Sequence, residues 1–134
     1  MQVVLNSKFF ASVSISGLAD TARVLGYDGI DVTVRPGHSI TPDNVDTALP
    51  GAVALWSSRG LTCPLATASV SVIDPAACEV ERLYAGCGAA GVARVKIGFF
   101  SFKRGDDYWQ RVDEARRALE GFASGEPALL DDVI

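Results

Sequence analysis

Short β-like runs alternate with helical stretches along this chain, in the same order four times. A first strand is predicted within residues 3–13, best placed at 9–14. Ser16 stands as the N-cap of a helix over 18–25, and Gly26 is a natural stop for it. A second strand over 29–34 carries the β-branched residues Ile30, Val32, Thr33 and Val34. A loop rich in Pro36, Gly37, Pro42, Asp43 and Asn44 leads to a helix that starts at Asp46 or Pro50 and ends at Ser58, before Gly60. Strand three follows over 61–69. Asp74-Pro75 then supplies a cap and a first-turn proline for a helix reaching about Cys87. Strand four occupies 93–99, and its helix spans 106–122 with Val112, Ala115, Leu119 and Phe122 on one apolar stripe. Residues 126–134 are too short and too weakly patterned for a fifth strand.

Strands that alternate with helices pair in parallel through right-handed crossovers, with helices covering the sheet. The 134 residues fit one domain. A composition that is 49% hydrophobic and 21% charged excludes a disordered chain. It is apolar enough to suggest a surface kept for another chain or segment. A net charge of −4 argues against nucleic acid and against an anionic membrane as partners. Arg111, Arg116 and Arg117 lie among Asp113, Glu114 and Glu120 and read as a solvated, ion-paired helix face. Cys63, Cys78 and Cys87 show no metal-ligand spacing, and their odd number fits a reducing compartment. With no signal peptide and no apolar run long enough to span a bilayer, a cytoplasmic location is expected.

One motif is misleading. Gly86-Cys87-Gly88-Ala89-Ala90-Gly91 matches a dinucleotide fingerprint, but that fingerprint works at a strand-to-helix turn. Here the helix precedes the glycines, which are expected to end it and turn into strand four.

The second strand is more informative. Alternation places Ile30, Val32 and Val34 against the helices and Asp31, Thr33 and Arg35 on the opposite face. Ligands of parallel α/β folds sit at the carboxyl ends of the strands, where Arg35 and His38 fall. Arg35 can hold a carboxylate or phosphate, or instead pair with Asp31 or Asp28. His38 can exchange hydrogen bonds with a sugar hydroxyl, or stand exposed. Asp31 is expected to support the site by holding Arg35 or a backbone amide. Lys96, inward on strand four, meets either the ligand or Asp31. The aromatic group Phe99, Phe100, Phe102, Tyr108 and Trp109 either walls a sugar pocket or packs its loop onto the rim.

The stretch Gly26-Tyr27-Asp28-Gly29-Ile30-Asp31-Val32-Thr33-Val34-Arg35-Pro36-Gly37-His38 resembles the second-strand region of the xylose isomerase-like TIM-barrel superfamily of sugar phosphate isomerases and epimerases. Members often carry Leu-Gly-(Tyr/Phe)-Asp-Gly-(Ile/Val)-(Asp/Glu) before this strand, and some continue Val-Arg-Pro-Gly-Gly-His. This chain has one glycine there, with Ser39 after His38, which aims the histidine differently. Gly60-Leu61-Thr62 and Gly91-Val92-Ala93-Arg94-Val95-Lys96-Ile97-Gly98 resemble the approaches to strands three and four. The resemblance covers roughly residues 9–122.

It implies a (βα)₄ half of a TIM barrel over residues 1–122, completed by dimerisation or by a second chain, with 123–134 as a tail that is disordered or foreign to the family. It also implies a sugar or sugar phosphate as ligand, bound by Arg35, His38 and Lys96. Family barrels are about twice this length and hold a divalent metal among Glu, Asp and His, mostly from strands five to eight. That metal polarises the sugar oxygens while acids move a proton beside the carbonyl. No metal ligand is assigned here. Glu126 sits in a Gly-Glu-Pro turn, and no residue is assigned the catalytic proton transfer. The expected role is therefore substrate binding without complete catalysis, the chain being one half of an enzyme, a truncation, or a non-catalytic homodimer. A third reading, a flavodoxin-like open sheet, needs the strand order to reverse midway.

Overall fold

Each strand lies beside the one before it in the chain, and every pairing is parallel. The computed structural model describes residues 1–124 and the backbone of Asp132–Val133. Its elements are β1 (Val4–Asn6), a 3₁₀ turn (Ser7–Phe9), α1 (Ile15–Val24), β2 (Gly29–Thr33), α2 (Val45–Ser58), β3 (Thr62–Thr67), α3 (Cys78–Ala90), β4 (Arg94–Lys96), α4 (Tyr108–Ser124) and β5 (Asp132–Val133). Four parallel strands alternate with four helices, an α/β arrangement consistent with a (βα)₄ half barrel. The flavodoxin-like reading is overturned, because the order β1-β2-β3-β4-β5 never reverses. Successive crossovers of one hand and one direction put the helices on a single face of the sheet.

The core fills the space between that face and the helices. Leu5, Ile30, Val32, Ala66 and Val95 come from the strands, and Leu18, Ala22, Leu49, Trp56, Val80 and Leu83 from α1, α2 and α3; all are buried. Each Val, Leu or Ile among them contributes about 1.5–3 kcal/mol on leaving water.

Several boundaries move from their predicted places. The first strand is Val4–Asn6 rather than 9–14, where the chain makes the 3₁₀ turn and a loop. Ser14, not Ser16, caps α1 by accepting from the Gly17 amide at 3.0 Å. Ser16 instead accepts from Arg59: Nη2 donates to its Oγ at 2.9 Å and Nη1 to its carbonyl at 3.1 Å, clamping α2 to α1. Helix α2 begins at Val45 and carries Pro50 inside it, at the loss of one intrahelical bond. Asp74 accepts from the Ala76 amide in a separate turn, so α3 starts only at Cys78. Helix α4 begins at Tyr108 and runs through Ser124, and β5 pairs with β4 where no fifth strand was expected. Residues 125–131 and 134, including Glu126 and most of the predicted tail, lie outside the described residues. Among the described residues no helix is long and apolar enough to cross a membrane.

Candidate functional site

The register aligns Asn6, Asp31, Leu65 and Arg94 in one row, and Thr33, Thr67 and Lys96 in the next. Asp31 and Thr33 share one side of β2, opposite Ile30 and Val32 in the core, and both are buried. Each oxygen of the Asp31 carboxylate accepts a hydrogen bond. It accepts from Asn6 Nδ2 at 2.7 Å and from Thr67 Oγ1 at 2.8 Å, joining β1, β2 and β3. It therefore holds neither Arg35 nor a backbone amide. Asp28 is engaged too, accepting from the Val3 amide at 2.8 Å.

Beyond β2 the chain folds back sharply. The His38 amide donates to the Arg35 carbonyl at 3.2 Å, with Pro36 and Gly37 between them and Gly37 at φ +82°. This is a type II turn, in which proline pre-sets one corner and only glycine takes the positive φ without strain. Ser39 Oγ donates to the Val13 carbonyl, and the Arg35 amide to the Ile40 carbonyl at 3.2 Å, fixing the loop on both sides. The 3₁₀ turn closes in from β1. Ser7 Oγ accepts from the Thr33 amide at 2.7 Å, and Asn6 Oδ1 from the Lys8 amide at 2.9 Å.

His38 is half-buried, with Nε2 lying 3.3 Å from the Lys8 carbonyl. A carbonyl only accepts, so Nε2 is the donor in this contact. Four buried side-chain polar atoms among the described residues find no hydrogen-bond partner: Thr33 Oγ1, Arg35 Nε, His38 Nδ1 and Tyr84 Oη. Three of the four fall within six residues at the carboxyl end of β2. A buried unpartnered group costs about 1–3 kcal/mol, so such a cluster needs a reason.

Lys96 lies in the same row as Thr33 but two strands away, roughly 10 Å along the sheet at ordinary strand spacing. It is exposed and makes no ion pair with Asp31, although its charge favours the carboxylate form there. Arg35 and His38 thus come together in one turn, while Lys96 stands apart in the same row. The aromatic group lies beside α4, where Phe100, Phe102 and Tyr108 line a groove with Val112 and Ala115. Tyr108 meets Phe102 and Trp109 edge-on, and all three rings are exposed. The α4 charges do behave as expected: Arg111 pairs with Asp106 and Glu114, and Arg116 with Asp113.

Burial pushes the Asp31 carboxyl above its ordinary range, against the opposing bonds from Thr67 and Asn6 and the Lys96 charge. The folded state then holds this proton more tightly than the unfolded chain does. The contribution of Asp31 is most favourable below the ordinary aspartate value and is lost as pH rises through its raised folded value. Asp31→Asn keeps both bonds, since its amide can donate to Thr67 Oγ1 and its carbonyl accept from Asn6. The variant is expected to match or exceed wild-type stability at pH 7 and to lose this falling component. Urea unfolding at a series of pH values from 3 to 7 checks it; a variant clearly less stable at pH 7 would show that the charge itself stabilises the strand ends.

Divalent-metal chemistry finds no fit here. Among the described residues no group of three or more His, Cys, Asp or Glu side chains converges, and Asp31 is already occupied by Asn6 and Thr67. Burial pushes the Cys63 and Cys87 thiols up to about 12, so both stay protonated at neutral pH.

No family model matches this chain, and no curated protein matches it. Among solved structures it is similar to a xylose isomerase domain protein from Planctomyces limnophilus, at 14% identity and a TM-score of 0.49. The match covers 83% of this chain and 48% of that one, so the chain spans about half the length of that structure.

Proposed function

We propose that the chain is the substrate-binding half of a sugar or sugar phosphate isomerase/epimerase-like barrel, whose metal-dependent step is supplied by a complementary half. The observation that carries this reading is the cluster of Thr33 Oγ1, Arg35 Nε and His38 Nδ1, buried and unpartnered at the carboxyl end of a parallel strand. Arg35 Nε donates to a phosphate or hydroxyl oxygen. His38 Nδ1 accepts from a sugar hydroxyl, while its Nε2 stays tied to the Lys8 carbonyl. Lys96 adds positive charge from β4, and Asp31 holds the strand ends in register beneath the ligand. The positive charge of Arg35, with that of Lys96 farther along the sheet, favours an anionic ligand over a neutral sugar, in a chain of net charge −4.

Titration calorimetry with an aldose phosphate, a ketose phosphate and inorganic phosphate tests it. Binding of at least one sugar phosphate is expected, weakened tenfold or more by Arg35→Ala, with Arg35→Lys retaining part of it. Absence of binding by all three, or equal binding by Arg35→Ala, would sink the assignment. Turnover that arises only when a complementary half is added would support the enzyme reading. A second reading, a non-catalytic homodimeric binding module, is favoured by one observation: an apolar face on α4 that no described element covers.

A further inference from the structure

Helix α4 meets the rest of the domain mainly through its last turns. Phe122 is its one buried residue, tilted against Tyr84 of α3 at 6.4 Å, and Gly121 lies so close to Pro75 that an added Cβ would come within 2.6 Å of it. The rest of the predicted stripe stays open. Val112, Ala115, Leu119 and Ala123 line a groove of about 580 Å³, flanked by Arg116 and Glu120. Val112 and Ala115 also line a second groove, with Phe100, Phe102 and Tyr108, so the helix stripe and the aromatic loop form one continuous apolar surface.

The area is large for a free surface. Phe99, Phe100, Phe102, Tyr108 and Trp109 are 37–71% exposed. At about 200 Å² per aromatic side chain they leave on the order of 550–600 Å² in water before Leu119 and Val112 are added. Such an area is as large as the largest patch of an ordinary monomer.

The flanking charges indicate what covers it. Arg116 and Glu120 are four residues apart on the same side of the stripe. Antiparallel packing of two α4 helices about a two-fold axis near residue 118 sets Arg116 of each copy opposite Glu120 of the other, and brings the two Leu119 side chains together beside the axis. Ala115 and Ala123 leave room for close approach. The existing pair of Arg116 with Asp113, at 3.2 Å between exposed side chains, is of the weak kind that exchanges readily. The β4 edge, through which two half barrels would close a ring, is already paired with β5.

We propose that this chain forms a two-fold homodimer through α4, with reciprocal Arg116–Glu120 pairs. The inference concerns a surface apart from the Arg35 turn and requires no ligand there. Light scattering of the full chain over a hundredfold concentration range reads it directly. The expected mass is twice 14.1 kDa. Leu119→Glu, at an exposed position, is expected to raise the dimer dissociation constant at least a hundredfold while circular dichroism stays unchanged. Arg116→Glu and Glu120→Arg should each weaken the dimer about tenfold, and the double exchange should restore it. A monomer at every concentration would overturn the proposal. So would a dimer indifferent to Leu119→Glu, which would mean that the copies meet at a sheet edge, or a double exchange no stronger than the single variants.

Discussion

Trp56→Ala is expected to lower the unfolding free energy by about 3–5 kcal/mol, the cost of emptying a large, closed core site. Trp56 is fully buried on α2, and its indole Nε1 donates to the Ile15 carbonyl at 2.9 Å, at the first turn of α1. Three residues on, just past the end of α2, Arg59 reaches Ser16 and Asp20. The two side chains form a seam, buried at Trp56 and half-wet at Arg59. The buried end dominates, because the exposed ion pair with Asp20 adds about 0.2–1 kcal/mol at most. Against a total of about 5–15 kcal/mol, the loss at Trp56 leaves the variant barely folded or unfolded at 37 °C. Trp56→Phe keeps most of the apolar volume, forgoes the hydrogen bond, and should cost about 1–2 kcal/mol. Urea unfolding followed by far-UV circular dichroism measures both. An unchanged slope with a shifted midpoint is the expected pattern. A loss below about 1 kcal/mol for the alanine variant would mean that the α1–α2 seam closes without the indole.

The fold was legible where several local signals agreed. In β2, β-branched residues, alternation and the following Pro-Gly turn all point one way, and the strand ends within a residue of its predicted end. Strand β1 is three residues long, below what periodicity can resolve, so the larger apolar residues Phe9, Phe10 and Val13 drew the prediction downstream. Asp74-Pro75 carries a true capping signature, but it is used by an isolated turn, and α3 begins at Cys78 without any side-chain cap. The site divides in the same way. Arg35 follows from parity along one strand, and His38 from its place just past that strand's carboxyl end. Asn6, Ser7 and Thr67, which hold Asp31 and Thr33 in place, were missed because their bonds span 25, 26 and 36 residues and depend on strand register. The one available signal was Asn6-Ser7 directly after Val3-Val4-Leu5, a polar pair ending an apolar run. On α4 the stripe showed that a helix presents an apolar face, but a pattern cannot name the surface that meets it.

The glycine motif gives the second large effect, with its sign set by geometry. In an open helix Gly→Ala stabilises by up to about 1 kcal/mol, because alanine restricts the unfolded chain. Gly51, in α2, is such a position: a Cβ there meets nothing within 4 Å. Gly86, in α3, is the opposite case. Its Cβ would stand 2.5 Å from the Val45 carbonyl oxygen and 2.9 Å from the carbonyl carbon, both backbone atoms at the start of α2 that no side-chain rotation can clear. The two helices must separate to admit it, and the net cost is expected to be about 1–3 kcal/mol despite the better helix propensity. Paired thermal melts of Gly51→Ala and Gly86→Ala should therefore move in opposite directions; a stabilised Gly86→Ala would show that α2 shifts freely over α3. Gly91 completes the account. At φ +70° it ends α3 in the left-handed conformation, its amide bonded back to Cys87 and Gly88. The motif therefore occupies the carboxyl end of a helix, where exposed carbonyls repel a pyrophosphate, and its first and last glycines serve helix contact and helix termination.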